Sequence, residues 1–303
     1  MRNYKTRNLQ QPEMIARPFK VCSKEFLEAL SIKEASPETI TAYEKDLFMV
    51  NAFLEERFNG IVMLEDIQTD DLEDYLTMLS VEKNYKPRSI NRHINTIRSF
   101  YNHAIKKRWT TVHASAPLEQ LKVPQKERTT IDEKEYKDLI QAIEHPTISV
   151  IVQFLYYTGL RITECLTLCL DDVNLNKQTI HVKNGKGNKE RIVPVTEKLV
   201  PILAHYLTSV RPNVESERFF ALAKTGKVSD VYVNRVLHET TEKLGWSKVV
   251  TCHILRHSFA SNLANKDVHI AHISNLLGHA DLKTTSIYVH SNQNQLAEAV
   301  SVL

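Results

Sequence analysis

Between residues 122 and 130 the sequence reads KVPQKERTT, which is polar, interrupted by Pro124, and lacks the three-and-four apolar spacing of a docked helix. Such a stretch reads as a linker and divides the 303-residue chain into two folding units, with a boundary near residue 127. A new unit opens directly behind it. Asp132 and Glu135 are spaced for a capping box, and Ile131 and Tyr136 for the hydrophobic staple that accompanies one. The expected organisation is a loose segment 1–20 of weak periodicity, a helical unit 21–122, a linker 123–130, a second unit 131–292 and a short tail 293–303.

The first unit reads as a small helical bundle. Ser36-Pro37 is an N-cap followed by proline at the first helical position. Ile40, Tyr43, Leu47, Val50 and Leu54 then give one apolar stripe, and Asn59-Gly60 is a stop signal. Another helix is expected near Thr69-Asp70, with Glu73 spaced to form a capping box on Asp70. A third starts near Pro87 and carries the stripe Ile90, Ile94, Ile97, Tyr101, Ile105. From Lys83 to Arg108 there are eight Lys or Arg residues and no Asp or Glu, while 65–74 is strongly acidic. A solvated helix face normally mixes signs for local pairing. The segregation therefore points to a phosphate-binding face made by residues such as Lys86, Arg88, Arg92, Arg98 and Lys106.

The second unit holds the only clear strand signals, 178–183 around Ile180 and Val182, and 190–195 with Ile192, Val193 and Val195. Asn184-Gly185-Lys186-Gly187-Asn188 between them has the composition of a tight turn. Elsewhere the periodicity is helical, so the fold class is mainly α with a small β-sheet: a helical bundle followed by a mixed α/β unit.

Bulk properties exclude several classes. The longest apolar stretch, 148–157, contains Ser149 and Gln153 and is too short to cross a bilayer, so it reads as a buried helix. Residues 1–20 have no apolar signal core. Four cysteines, Cys22, Cys165, Cys169 and Cys252, suggest no disulfide framework, and a cytoplasmic location is expected. The formal net charge of +3 announces no global basic field. Zinc is disfavoured: there is no Cys-x2-Cys pair and no His-Glu-x2-His helix, and Cys165 and Cys169 lie among leucines as small core residues would.

Four short segments carry chemistry. Thr158-Gly159 ends the apolar helix, so Arg161 leaves the core at a fixed bend; by itself it fits a surface arginine at a helix terminus. Lys186 sits between two glycines at the turn; it lacks P-loop spacing, and by itself it fits a soluble turn. His253 and Arg256 are three apart on a helix that Thr251 can cap, so they share a face. Gly278 ends the helix 268–277, His279 follows, and Tyr288 lies on a further helix that Asp281 can cap. A lone tyrosine there fits core or interface.

Together, in this order and spacing, these segments resemble the tyrosine recombinases, also called phage integrases. The resemblance covers about residues 20–295 and is strongest at 158–187 and 253–290. The family's catalytic set is Arg, Lys, His-x-x-Arg, His or Trp, and Tyr, and the chain supplies Arg161, Lys186, His253 with Arg256, His279 and Tyr288, with no member missing. Glu164 matches an acidic position that, by the resemblance, helps place the arginines. The chain also resembles the compact Xer-like branch, with no room for a full arm-site domain before residue 20.

The resemblance implies a core-binding helical domain, a catalytic domain, and cleavage and rejoining of duplex DNA at a specific site through a 3′-phosphotyrosyl intermediate. It implies no cofactor, no metal and no ATP. It also implies a homotetramer on two DNA sites, or pairing with a paralogue, with the tail docking on a neighbouring protomer through Leu296, Val300 and Leu303. Two other expectations stand beside it: a catalytically silent DNA-binding architectural protein, and a type IB topoisomerase.

Overall fold

The computed structural model describes residues 16–124, 129–183 and 190–278. The chain divides into two compact units, Met1–Lys126 and Glu127–Leu303.

The first unit is built from α1 (Phe19–Ile32), α2 (Pro37–Arg57), α3 (Thr69–Val81) and α4 (Pro87–Lys106) around one core. Ser36 caps α2, its Oγ accepting from the Thr39 N–H at 3.2 Å. The stop at Asn59-Gly60 is there, but the left-handed residue is Asn59 (φ 51°), not the glycine. The expected capping box on Asp70 is displaced. α3 starts two residues earlier than that box requires, and Asp71 rather than Glu73 reaches back, accepting from the Gln68 N–H at 2.9 Å. Asp71 lies under the Arg57 guanidinium, 2.6 Å away, which favours that start over the alternative. Residues 17–20, expected as part of a loose segment, are docked: Phe19 is fully buried, its N–H donating to Val62 O at 2.9 Å, and Arg17 lies 5.0 Å over the Trp109 ring. Residues 1–15 lie outside the described residues.

In the stripe of α4, Ile90, Ile94, Ile97 and Tyr101 are buried as the spacing predicts. The polar side of α4 is not uniformly free. Arg92 reaches the buried Asp46 of α2 at 2.6 Å, and Thr96 Oγ1 donates to the same carboxylate at 2.8 Å. Next to them the buried Tyr75 O–H lies 2.9 Å from His93 Nδ1. Burial holds His93 below the usual histidine value against the pull of Asp46. Asn91 clasps the backbone of Leu121 with both side-chain atoms, at 2.9 and 2.8 Å, and Arg98 donates to Leu118 O. Segment 113–121 therefore runs along α4 rather than away from it.

The second unit contains α5 (Glu133–Ala142), α6 (Pro146–Thr158), α7 (Ile162–Thr167), β1 (Val173–Asn174), β2 (Thr179–Val182), β3 (Arg191–Pro194), α8 (Val200–His205), α9 (Asp230–Lys243), α10 (Cys252–Ala264) and α11 (Ile270–Leu277). The capping box at its entry forms: the Asp132 N–H donates to Glu135 at 2.9 Å, and Asp132 accepts from the Glu135 N–H at 2.8 Å. The apolar run becomes α6, buried nearly all round and packed against α10. The sheet is antiparallel in the order β1-β2-β3, with Ile180 opposite Val193 and Val182 opposite Arg191. β1 was not foreseen, because two residues are too few to show alternation. No helix among the described residues is long and apolar enough to cross a membrane.

Burial separates the apolar residues that mark β3: Val193 is turned inward, whereas Ile192 points outward and is 68% exposed. Cys165 is buried with its thiol pushed well up by burial, whereas Cys169 is only half-buried and is not a core residue.

Gly159 closes α6 in the left-handed region (φ 63°), and a Cβ there would collide with the Phe259 ring of α10. Strain and overlap act together, so Gly159→Ala should destabilise this unit by on the order of 2–4 kcal/mol. Urea denaturation monitored by circular dichroism checks this; an unchanged midpoint would mean that Phe259 gives way freely.

Candidate active site

Three of the six residues expected to carry chemistry, Arg161, His253 and Arg256, are among the described residues; Lys186, His279 and Tyr288 lie outside them, as does the turn 184–188. The described three come from two places. Arg161 is the residue before α7, reached through the Gly159 bend, and His253 and Arg256 lie in the first turns of α10. Thr251 caps α10, its Oγ1 accepting from the Ile254 N–H at 3.3 Å.

The fold brings Arg161 and Arg256 to the same spot, the C-terminal end of α11. Arg256, only 3% exposed, donates to Gly159 O and to Leu277 O, both at 2.7 Å. Arg161 Nη2 lies 3.3 Å from Gly278 O. A third arginine, Arg191 of β3, donates from Nε to Leu276 O at 3.1 Å. Three guanidiniums thus take three successive carbonyls, Leu276, Leu277 and Gly278. The last carbonyls of a helix have no partner within it and form the negative end of its dipole, so cations are favoured there. Gly278 ends α11 in the left-handed region (φ 64°), and a Cβ on it would lie 2.8 Å from Arg191 Nη1. Only glycine allows the backbone to come this close. His279 is the next residue in the chain.

Glu164 joins two of these arginines. Its side chain is 3% exposed. Oε1 accepts from Arg161 Nη1 at 2.9 Å and Arg191 Nη1 at 3.0 Å. Oε2 accepts from the Arg161 N–H at 2.8 Å and Arg191 Nη2 at 2.9 Å. Burial by itself would raise this carboxyl, but the Arg191 hydrogen bonds, the Arg161 N–H and the two positive charges outweigh it and hold Glu164 below its ordinary value. Two guanidiniums share this one carboxylate, an arrangement that an anionic ligand beside Arg161 would complement.

His253 is exposed and meets His257 edge to face, with ring centroids 4.4 Å apart. Lys183, next after β2, pairs with Asp172 at 2.6 Å. Among the described residues no three His, Cys, Asp or Glu side chains are grouped to hold a metal ion. Of the basic residues expected on the first unit's phosphate face, Lys86, Arg88 and Lys106 are exposed, Arg92 is exposed but ion-paired to Asp46, and Arg98 is half-buried against Leu118 O.

Sequence reasoning missed Arg191. The alternation of its strand contains the signal: Val193 faces the core, so the residue two before it does too. An arginine at an inward strand position calls for a buried anionic partner.

The sequence matches the phage integrase family over residues 129–295 and the phage integrase N-terminal SAM-like domain over residues 24–108. The chain belongs to the phage integrase family. Within it the chain is of the Xer-like, tyrosine recombinase type, a site-specific DNA recombinase. It is 30% identical to the tyrosine recombinase XerD of Staphylococcus epidermidis over 286 residues, 90% of this chain and 95% of that one. The crystal structure of XerA recombinase is similar at 29% identity and a TM-score of 0.51, covering 93% of this chain and 98% of that one. The fold is also that of the Tn1549 transposon integrase in complex with a circular intermediate DNA, with a TM-score of 0.77 at 14% identity and coverage of 93% and 99%.

Because Glu164 is held ionised below its ordinary value, its contribution to stability is present above the unfolded carboxyl value and is lost as pH falls through the folded one. The stability difference between the wild type and Glu164→Gln should therefore shrink as pH drops below about 4.3, the ordinary glutamate value. Denaturant titrations from neutral pH to pH 3 check this; a pH-independent difference would contradict an ionised Glu164.

Proposed function

We propose that the chain binds a duplex DNA recombination site and exchanges strands through a covalent link to Tyr288. The observation that carries this reading is the convergence of Arg161 and Arg256 on the end of α11, with Arg161 sharing the single charge of Glu164 with Arg191. Planar forks match the two non-bridging oxygens of a phosphodiester, and fixed positive charge stabilises the extra charge of a pentacoordinate transition state.

In this reading the Tyr288 phenol oxygen attacks the scissile phosphorus while the bond to the 5′-oxygen breaks. A phenol with a reference pKa of about 10 needs help to attack at neutral pH. His253 accepts its proton or, if the proton leaves otherwise, holds the phosphate. Lys186 protonates the departing 5′-oxygen, and His279 adds a hydrogen bond to the phosphate. The product is a 3′-phosphotyrosyl link and a free 5′-hydroxyl. A 5′-hydroxyl of the partner duplex then attacks the phosphorus and releases the tyrosine. The link stores the bond energy, so neither ATP nor a metal is needed, and the arginines supply the charge that metals supply elsewhere.

The first unit would contact backbone phosphates through the exposed Lys86, Arg88 and Lys106. Arg92 and Arg98 would contribute only by leaving Asp46 and Leu118. Four copies on two sites, or this chain with a paralogue, would carry out the exchange in the cytoplasm. The tasks that suit the chemistry are resolution of replicon dimers or cointegrates, and integration or excision of a mobile element.

The test is a library of nicked random-sequence duplexes incubated with the protein in EDTA and without ATP. The wild type should form a denaturant-resistant 3′ adduct, and Tyr288→Phe should bind the captured duplexes without forming one. Binding without an adduct from the wild type would favour a silent DNA-binding protein. Relaxation of arbitrary plasmids without site preference would favour a type IB topoisomerase. Loss of the adduct in EDTA would refute the metal-free mechanism.

The apolar stripe Leu296, Val300, Leu303 in the tail would dock on a neighbouring protomer and couple assembly to the placement of Tyr288. The tail lies outside the described residues. Deleting residues 293–303 should impair synapsis and cleavage more than DNA binding, as read by mobility shifts and adduct yield. Unchanged recombination would exclude this role.

A further inference from the structure

Arg191 occupies a place that the proposed chemistry does not use. It is a charged residue on the inward face of β3, with 12% of its side chain exposed, while the neighbouring Ile192 is 68% exposed. That exchange of polar and apolar positions is unfavourable unless the buried guanidinium is fully engaged. It is engaged: Nε donates to Leu276 O, Nη1 to Glu164 Oε1 and Nη2 to Glu164 Oε2.

Arg161 differs. Its side chain is 29% exposed, its guanidinium meets Glu164 through Nη1 alone, and its Nη2 contact to Gly278 O is long at 3.3 Å. A carboxylate and a phosphate compete for an arginine fork because both offer two oxygens at matching spacing. Here the two-oxygen face of Glu164 is already filled by Arg191, so Glu164 orients Arg161 with one side-chain bond and leaves the rest of its fork for another anion.

We propose that Arg191 is a positioning residue for strand cleavage: it takes the bidentate face of Glu164, keeping Arg161 available to the scissile phosphate, and ties the end of α11 to β3. The proposal rests on the reading of Arg161 as a phosphate-binding catalytic residue. Removing Arg191 leaves an ionised, buried Glu164 facing Arg161 alone, and Arg161 closes onto it as a two-bond pair. Removing the carboxylate as well frees Arg161 again. A residue that mattered only for packing would not show this reversal.

The experiment measures single-turnover adduct formation on a nicked duplex captured by the wild type from the random library. Binding of the same duplex and thermal unfolding are followed in parallel. Arg191→Gln should slow cleavage by about 30-fold or more, with DNA affinity within about threefold of the wild type. Adding Glu164→Gln to it should speed cleavage at least about fivefold over Arg191→Gln alone, a non-additive gain for residues acting as one unit. If Arg191→Gln does not fold, Arg191→Lys carries the test: a point charge cannot fill both oxygens, so cleavage should still fall at least about fivefold. Cleavage by Arg191→Gln within about threefold of the wild type, a double variant no faster than the single one, or wild-type cleavage by Arg191→Lys would each overturn the positioning role. Arg161→Ala separates the two levels: undiminished adduct from that variant refutes the reading of the site itself, whereas its failure alongside an unimpaired Arg191→Gln refutes only the role of Arg191.

Discussion

Glu164 lies between two guanidiniums with 3% of its side chain open to water. An ion so placed loses hydration worth several kcal/mol, which is offset only when every oxygen lone pair meets a well-aligned donor. Four donors supply this: two from Arg191, one from the Arg161 side chain and one from the Arg161 backbone. One carboxylate thereby joins the start of α7, strand β3 and, through the same arginines, the end of α11. The relative placement of these three elements depends on it.

The three arginines divide their tasks according to burial. Arg256 and Arg191 are deeply placed and satisfy the orphan carbonyls of α11, where the helix dipole favours positive charge. Arg161 is the more exposed and the more loosely held. A rigid, charged frame around a less committed guanidinium is what preorganised stabilisation of a developing oxyanion requires, since little reorganisation is left for the moment of reaction. Gly159 and Gly278 serve the same frame from the backbone: each ends a helix in the left-handed region where a Cβ would strike a neighbour, Phe259 in one case and Arg191 in the other.

In the first unit a similar compromise is struck at Asp46, whose buried charge is met by Arg92 and Thr96. The single-signed charge of α4 had suggested a free basic face. Sequence spacing shows which residues share a helix face but not what approaches it from elsewhere, so the pairing of Arg92 with Asp46 and the run of segment 113–121 along α4 were hidden. The displaced start of α3 has the same origin. Both Asp70-Glu73 and Gln68-Asp71 satisfy local spacing, and the contact of Arg57 with Asp71 favours one of them.

Local patterns were decisive wherever a structural choice depends on neighbours in the chain. The stripes of α2 and α4, the capping box at Asp132, the glycine stops at Gly159 and Gly278 and the twofold alternation of β2 are local properties, and they specified helices, boundaries and strand type. The order and spacing of Arg161, Lys186, His253, Arg256, His279 and Tyr288 along the chain were likewise enough to indicate the family. Tertiary structure decided which charges meet. It turned Ile192 outward and Arg191 inward, withdrew Glu164 from water, and set three arginines on three consecutive carbonyls. The reason is physical. Hydrogen-bonded spacing along one helix or strand is fixed by its period, whereas the pairing of buried charges is fixed by which elements pack together, and the cost of an unpaired buried ion makes that pairing all or none.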